Sequence, residues 1–244
     1  MRAEQLQLAL RPRPMAEAAD LGVRMAQDGA ASLCRAYLPL ALLLAVACGA
    51  TIELSPWLPL LLLWWFKPWL DRILLHVYAR QAFGESTSFA QAWEARRAAP
   101  WSQLFLLLTM GRLSFWRAYT LPVLQLEGQS GAQRRTRLQA ILRGHRGAAA
   151  MTQSAFSWIE GLLWLALLSL GAWFWPGLRN PMTLISSIDN TLVGDAVAYA
   201  TYAAAVLFVE PFHAAAGFAM YLNRRVELEA WDVEQDLRDA FDHG

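Results

Sequence analysis

Long uncharged runs alternate with charged segments along this chain, and several of the runs approach membrane length. No charge falls between Arg35 and Glu53, and 36–52 is long enough to cross most of a hydrocarbon core of about 30 Å. This predicts a first span over about 34–54, with Pro39 near its start, where a helix lacks N–H partners anyway. The next run, 57–66, is too short to cross alone and continues into Lys67-Pro68-Trp69-Leu70-Asp71-Arg72 and a second apolar stretch, 73–78. One helix over 56–80 that holds charges in the membrane is one reading. A bend at Pro68, with the remainder lying along the interface, is the favoured one, because proline removes a helical bond.

Further along, Gly84 can end a helix, and Ser86, Thr87 and Ser88 can cap the next, whose apolar face is Phe89, Ala92 and Trp93. An apolar run, 101–111, is followed by Arg112, Arg117 and a second apolar stretch, 118–126. If 100–127 crossed once, the basic segment 128–150, with Arg134, Arg135, Arg137, Arg143 and Arg146, would lie outside. Arginine-rich short loops stay cytoplasmic, so a re-entrant hairpin is expected.

Spans are expected again at 153–175, which carries Glu160 and ends at Pro176-Gly177, and at 196–222, where Glu210-Pro211 predicts a kink. The second is about 40 Å long at 1.5 Å per residue and must tilt or project. At the ends, a polar prelude (1–32) breaks at Arg11-Pro12-Arg13-Pro14 and restarts at Met15. Leu21, Met25 and Leu33 could then face the membrane as an interfacial amphipathic helix; the alternative is a solvated lead-in helix. The tail 223–244 repeats Val226, Ala230, Val233, Leu237 and Phe241 at helical spacing among acidic residues, which makes an acidic amphipathic helix. The expected class is all-α: a polytopic transmembrane bundle with interfacial helices and a re-entrant hairpin.

Composition agrees with lipid as the solvent. Of 244 residues 56% are hydrophobic and only 17% charged, against about a quarter charged in soluble domains. The 12 tryptophans suit membrane–water interfaces. Of the 21 Lys and Arg residues only Arg179 falls in the expected outer loops, 53–56 and 177–194, so an inner-membrane protein with both termini cytoplasmic is expected. No cleaved signal peptide is expected, since charges continue to Arg24 before any apolar run. A net charge of +1 gives no field for nucleic acid. Cys34 and Cys48 would stand about 21 Å apart on one helix, too far for a disulfide.

Chemistry is sought among charges at membrane depth, where each costs about 2.5–3.5 kcal/mol on insertion scales. These are Lys67, Asp71, Arg72, Arg112, Arg117, Glu160, Glu210 and His213. Lys67 and Asp71 are spaced to pair along one helix, and Glu210 can meet His213 across the proline. Glu210 can serve structurally by binding Arg112 or Arg117, or it can move protons or hold a cation with His213. Glu160 reads as solvated near the inner interface, and His76 and His145 as interfacial. The basic segment can meet anionic headgroups or dock the acidic tail, and opposite charge in one compartment favours the tail. No GxSxG, HExxH or phosphate-loop pattern is present, and no metal site or cofactor is expected.

Five stretches carry a resemblance. They are Glu17-Ala18-Ala19-Asp20-Leu21-Gly22; Leu63-Trp64-Trp65-Phe66-Lys67-Pro68 with Asp71-Arg72; Phe83-Gly84-Glu85; Leu121-Pro122-Val123 with Gln125-Leu126-Glu127-Gly128; and Glu210-Pro211-Phe212 through Tyr221-Leu222-Asn223-Arg224-Arg225. They resemble an uncharacterised family of proteobacterial polytopic inner-membrane proteins. The layout is also similar to the membrane domain attached to some glycerophosphodiester phosphodiesterases, without their catalytic domain. Members of the resembled family tend to be encoded beside membrane-anchored transglutaminase-like proteins, von Willebrand A-type proteins and MoxR-type ATPases. The resemblance implies a complex subunit, and the absence of catalytic motifs beside interfacial helices points to a non-enzymatic scaffold, with the bilayer and either other membrane proteins or a second copy as expected partners. A small transporter or lipid-handling protein is the alternative.

Overall fold

The computed structural model describes residues 13–85, 87–97, 114–129, 131–174 and 192–229, with side chains left out at 95–97 and 171–174. Every regular element among them is a helix. In chain order these are α1 (Met15–Asp28), α2 (Ala30–Ala36), α3 (Leu38–Gly49), α4 (Leu58–Gln81), α5 (Phe89–Arg97), α6 (Arg117–Gln125), α7 (Gly131–Leu142), α8 (Arg146–Phe174) and α9 (Leu192–Glu229).

Helix α9 is the axis of the fold. Helices α1, α3, α4, α6, α7 and α8 all pack against it. Small residues explain how so many neighbours fit. The run Ala214-Ala215-Ala216-Gly217 lets backbones approach closely, as small-residue faces do in membrane helices. A Cβ on Gly22 of α1 would lie 2.4 Å from the Ala215 carbonyl oxygen, and one on Gly217 would lie 2.5 Å from the Ala118 backbone of α6. Two apolar clusters form around this axis. The larger joins α1, α4, α6 and the C-terminal half of α9; the smaller joins α3, the start of α4 and the first half of α9.

Among the described residues two helices are long and apolar enough to cross a membrane, α8 over Arg146–Leu170 and α9. A third span results if α2 and α3 are one element bent by 46°. The break falls just before Pro39, which withholds an N–H from the Arg35 carbonyl and crowds it. The first span expected over 34–54 thus falls on two helices that meet at this bend. Helix α4 does not pass the same test, because Lys67, Asp71 and Arg72 interrupt its apolar run.

Helix α4 continues for 24 residues through Pro68, so the proline does not end it. Its lower half is buried on nearly every side, from Leu70 to Leu75 and at Val77, Tyr78 and Ala79. The amphipathic helix at Met15 forms, but it does not lie unpartnered on the membrane. Met15, Ala18, Gly22, Met25 and Ala26 are buried, and Leu21 is only partly so. The tail is not a separate element at residue 223 either, since α9 continues to Glu229.

Gly84 adopts φ +73° after α4, and Ser88 caps α5 in a reciprocal pair with Gln91, as the serine-rich approach predicts. Most of the expected re-entrant hairpin, 100–113 with Arg112, lies outside the described residues, as do the tail from 230 and nearly all of the outer loop 177–194. What is described of 114–127 is α6, which rests on α9. The span expected from 153 begins earlier: the basic segment turns at Gly144 (φ +80°), and α8 starts at Arg146.

Candidate functional site

The middle of the bundle holds a cluster of charges contributed by four helices. Helix α4 presents Lys67 and, one turn on, Asp71; α6 begins with Arg117; α8 supplies Glu160; α9 supplies Glu210 and His213. All six are buried, Glu210 completely and Asp71 to within 1%. Burial of this kind is tolerable only when charges are paired.

Glu210 is the hub. Its Oε1 accepts from Arg117 Nη2 at 2.8 Å and faces His213 Nδ1 at 3.3 Å, while its Oε2 lies 2.6 Å from Lys67 Nζ. Lys67 also bridges Glu160 of α8. Arg117 places its Nε 2.7 Å from Asp71 Oδ2, so one guanidinium holds carboxylates of α4 and α9 together. On the far side of His213, Nε2 meets Gln153 Oε1 of α8 at 3.1 Å, and Phe156 lies against the ring. Tyr78, lower on α4, donates its hydroxyl to the Pro211 carbonyl at 2.8 Å and fastens α4 to α9 at the proline.

Of the residues singled out by sequence, Lys67, Asp71, Arg117, Glu160, Glu210 and His213 come together. Arg72 does not join them. It is buried, its carbonyl accepts from Gln125, and it has no ion pair among the described residues. Two expectations are corrected. Lys67 does not bridge Asp71 along α4; tertiary partners take both. Glu160 is not solvated at the interface but buried against Lys67. Sequence reasoning passed over Tyr37, Tyr78 and Gln153. A signal existed for two of them, because Tyr78 follows Asp71 and Glu160 follows Gln153 by seven positions, two turns on one face.

Asp71, Glu210 and His213 offer ligand atoms within 4.8 Å of one another. The donor set still does not suit a metal ion. Both carboxylates already face a guanidinium or an ammonium group, and a divalent cation would have to sit beside those charges. The arrangement is an ion-pair lock.

A second cluster forms where α7 and the end of α9 meet. Arg137 donates to Glu127 from Nε (2.8 Å) and reaches Glu229 from Nη2 (2.5 Å). Tyr221 donates to Glu127, Arg225 pairs with Glu229, and Arg224 and His145 pair with Glu227. Its hydrogen bonds to Glu127 raise the Arg137 pKa above its ordinary value. Among the described residues the basic segment therefore does meet the start of the acidic tail, through the side chains of Arg137 and His145 and through the Arg143 carbonyl, which accepts from Arg224. Arg134 is half-buried; Arg135, Arg143 and Arg146 are exposed. Arg143 and Arg146, with Gln139, Leu142, Gly144 and Gly147, line an open cavity of about 430 Å³ that no member of the buried cluster borders. Nearby, Asn223 exchanges two hydrogen bonds with the Arg13 backbone, at 2.9 and 2.8 Å, and pins the chain ahead of α1 to α9.

No family model, curated protein or solved structure matches the chain.

Proposed function

We propose that this chain is a non-enzymatic, multi-pass subunit of a bacterial inner membrane that scaffolds a membrane-associated complex, with both termini cytoplasmic. The observation that carries the reading is the closed ion-pair lock. Six ionisable side chains from α4, α6, α8 and α9 pair with one another in the core. A framework held this way has its contact surface on the outside. Helix α8 offers such a surface, since Trp158, Ile159, Leu162, Leu165 and Leu170 are exposed along it. A continuous apolar face of that length suits lipid or another membrane helix. The resemblance supplies the kind of partner, a membrane-anchored protein or an ATPase of the types encoded beside that family.

Mild-detergent purification from native expression, with crosslinking, tests the reading: the chain is expected in a complex or as an oligomer. A strictly solitary monomer overturns it. A reporter at Gly144 is expected to read cytoplasmic, and a periplasmic signal overturns the orientation.

The second reading, a small transporter or lipid-handling protein, draws on the carboxylates and histidine gathered beside Pro211, a proline inside α9. Glu210→Gln that folds normally but abolishes a measured flux would select it over the scaffold.

A further inference from the structure

We infer that the buried cluster binds one exchangeable proton, shared between the carboxyl groups of Asp71 and Glu210. The first ground is charge. Lys67 and Arg117 bring two fixed positive charges; Asp71, Glu160 and Glu210 bring three carboxyl groups. Fully ionised, with a neutral histidine, these five paired groups would carry one negative charge in excess; the buried Arg72 forms no ion pair with them among the described residues. A dry interior does not hold an uncompensated charge when a proton can remove it.

The second ground is geometry. Asp71 and Glu210 sit on neighbouring nitrogens of the same guanidinium, Nε and Nη2 of Arg117, and the two carboxyls have oxygens within 4.8 Å of each other. Two carboxyls so placed share a proton and titrate as a pair. Lys67 cannot fill this role, since it is committed to Glu160 and to the other oxygen of Glu210. Neither is a charged histidine required. Nδ1 of His213 faces Glu210 and Nε2 faces Gln153 Oε1; a neutral ring that donates from Nδ1 requires the Gln153 amide to be turned so that its NH₂ faces Nε2.

A third observation comes from outside the acidic groups. Tyr37, at the α2–α3 junction, is 98% buried, and its hydroxyl has no hydrogen-bond partner among the described residues. Asp71 Oδ1 is likewise without a hydrogen-bond partner. The core thus holds an unmatched phenolic donor and an unmatched carboxyl oxygen. The groups around the pair are then Tyr37 from the junction, Lys67 and Tyr78 from α4, Arg117 from α6, Gln153 and Glu160 from α8, and His213 from α9.

The proposal is independent of any scaffolding partner and is tested on the purified chain in detergent by infrared spectroscopy. At neutral pH the wild type is expected to show a carboxylic-acid C=O band, one group per chain, that shifts in D₂O. Asp71→Asn leaves two positive against two negative charges, so it is expected to fold and to lose the band. Glu85→Gln, an exposed control, keeps it. Should Asp71→Asn fail to fold, the wild type labelled with ¹³C-aspartate replaces it, and the band is expected to move. Absence of the band in wild type overturns the proposal, as does a band that survives Asp71→Asn or ignores the label. A His213 ¹⁵N spectrum showing an imidazolium at neutral pH overturns it too, because the cluster would then be neutral without a shared proton.

Discussion

Helix α9 carries two charge clusters of similar composition in different surroundings. At Glu210 the partners are Lys67, Arg117 and His213, all within the core; at the C-terminal end Glu227 and Glu229 meet Arg137, Arg224, Arg225 and His145 on half-exposed ground. The distances hardly differ, about 2.5 to 3.5 Å in both. What differs is the alternative open to each charge when its partner is removed. A group at the outer cluster turns to water, while a group at the inner one has nowhere to turn. Short contacts alone therefore do not rank the two clusters; burial does.

The largest effect is expected from Glu210→Ala. It leaves Lys67 and Arg117 each short of a carboxylate inside the bundle, and breaking a buried pair in this way costs about 3–5 kcal/mol. Unfolding in mixed detergent micelles reads the loss, and Glu210→Gln, which keeps a hydrogen-bond acceptor for Arg117, is expected to lose less. Equal and small losses for both would mean that the inner cluster is hydrated after all.

Lys67→Met sharpens the point by removing the cation. Glu160 and Glu210 then face each other's field with only Arg117 in support. Adding Glu160→Gln is expected to recover part of the stability, with a coupling of about 0.5–3 kcal/mol between residues in direct contact. Strict additivity of the two losses would show that the Lys67–Glu160 contact contributes nothing.

The same contrast explains how much was legible beforehand. Helices α8 and α9 are long apolar periods, and the cost of a charge within them marked Glu210 and His213 as requiring partners, while Glu160 read as solvated. Spacing rules see only along one helix, however. They offered Asp71 to Lys67, whereas Lys67 reaches Glu160 at 93 positions' remove, and Arg117 reaches Glu210 at the same separation. Nor does an interruption by proline reveal whether tertiary contacts will carry the helix through, as they do at Pro68. The packing of α1 was hidden for a different reason. Its amphipathic face is as suitable for a lipid surface as for another helix, and only Gly22 opposite the alanine run of α9 hinted at close contact. The gathering of six charges at one point depends on the crossing of four helices, and no local pattern encodes it.

The outer cluster gives the smallest and most revealing effect. Arg137 is 25% exposed by its side chain and joins two carboxylates, Glu127 and Glu229. Because those hydrogen bonds hold its pKa above the ordinary arginine value, it stays charged at any pH the fold survives. Arg137→Ala therefore removes a full charge, yet the released glutamates reach water, and the expected cost is about 1 kcal/mol or less. Screening supplies the discriminating measurement. At 0.15 M salt the Debye length is about 8 Å, so the Arg137→Ala penalty is expected to shrink as salt rises through that range, whereas the Glu210→Ala penalty does not move. Two penalties that fall together with salt would place both clusters in the same solvent, and burial would no longer account for the difference between them.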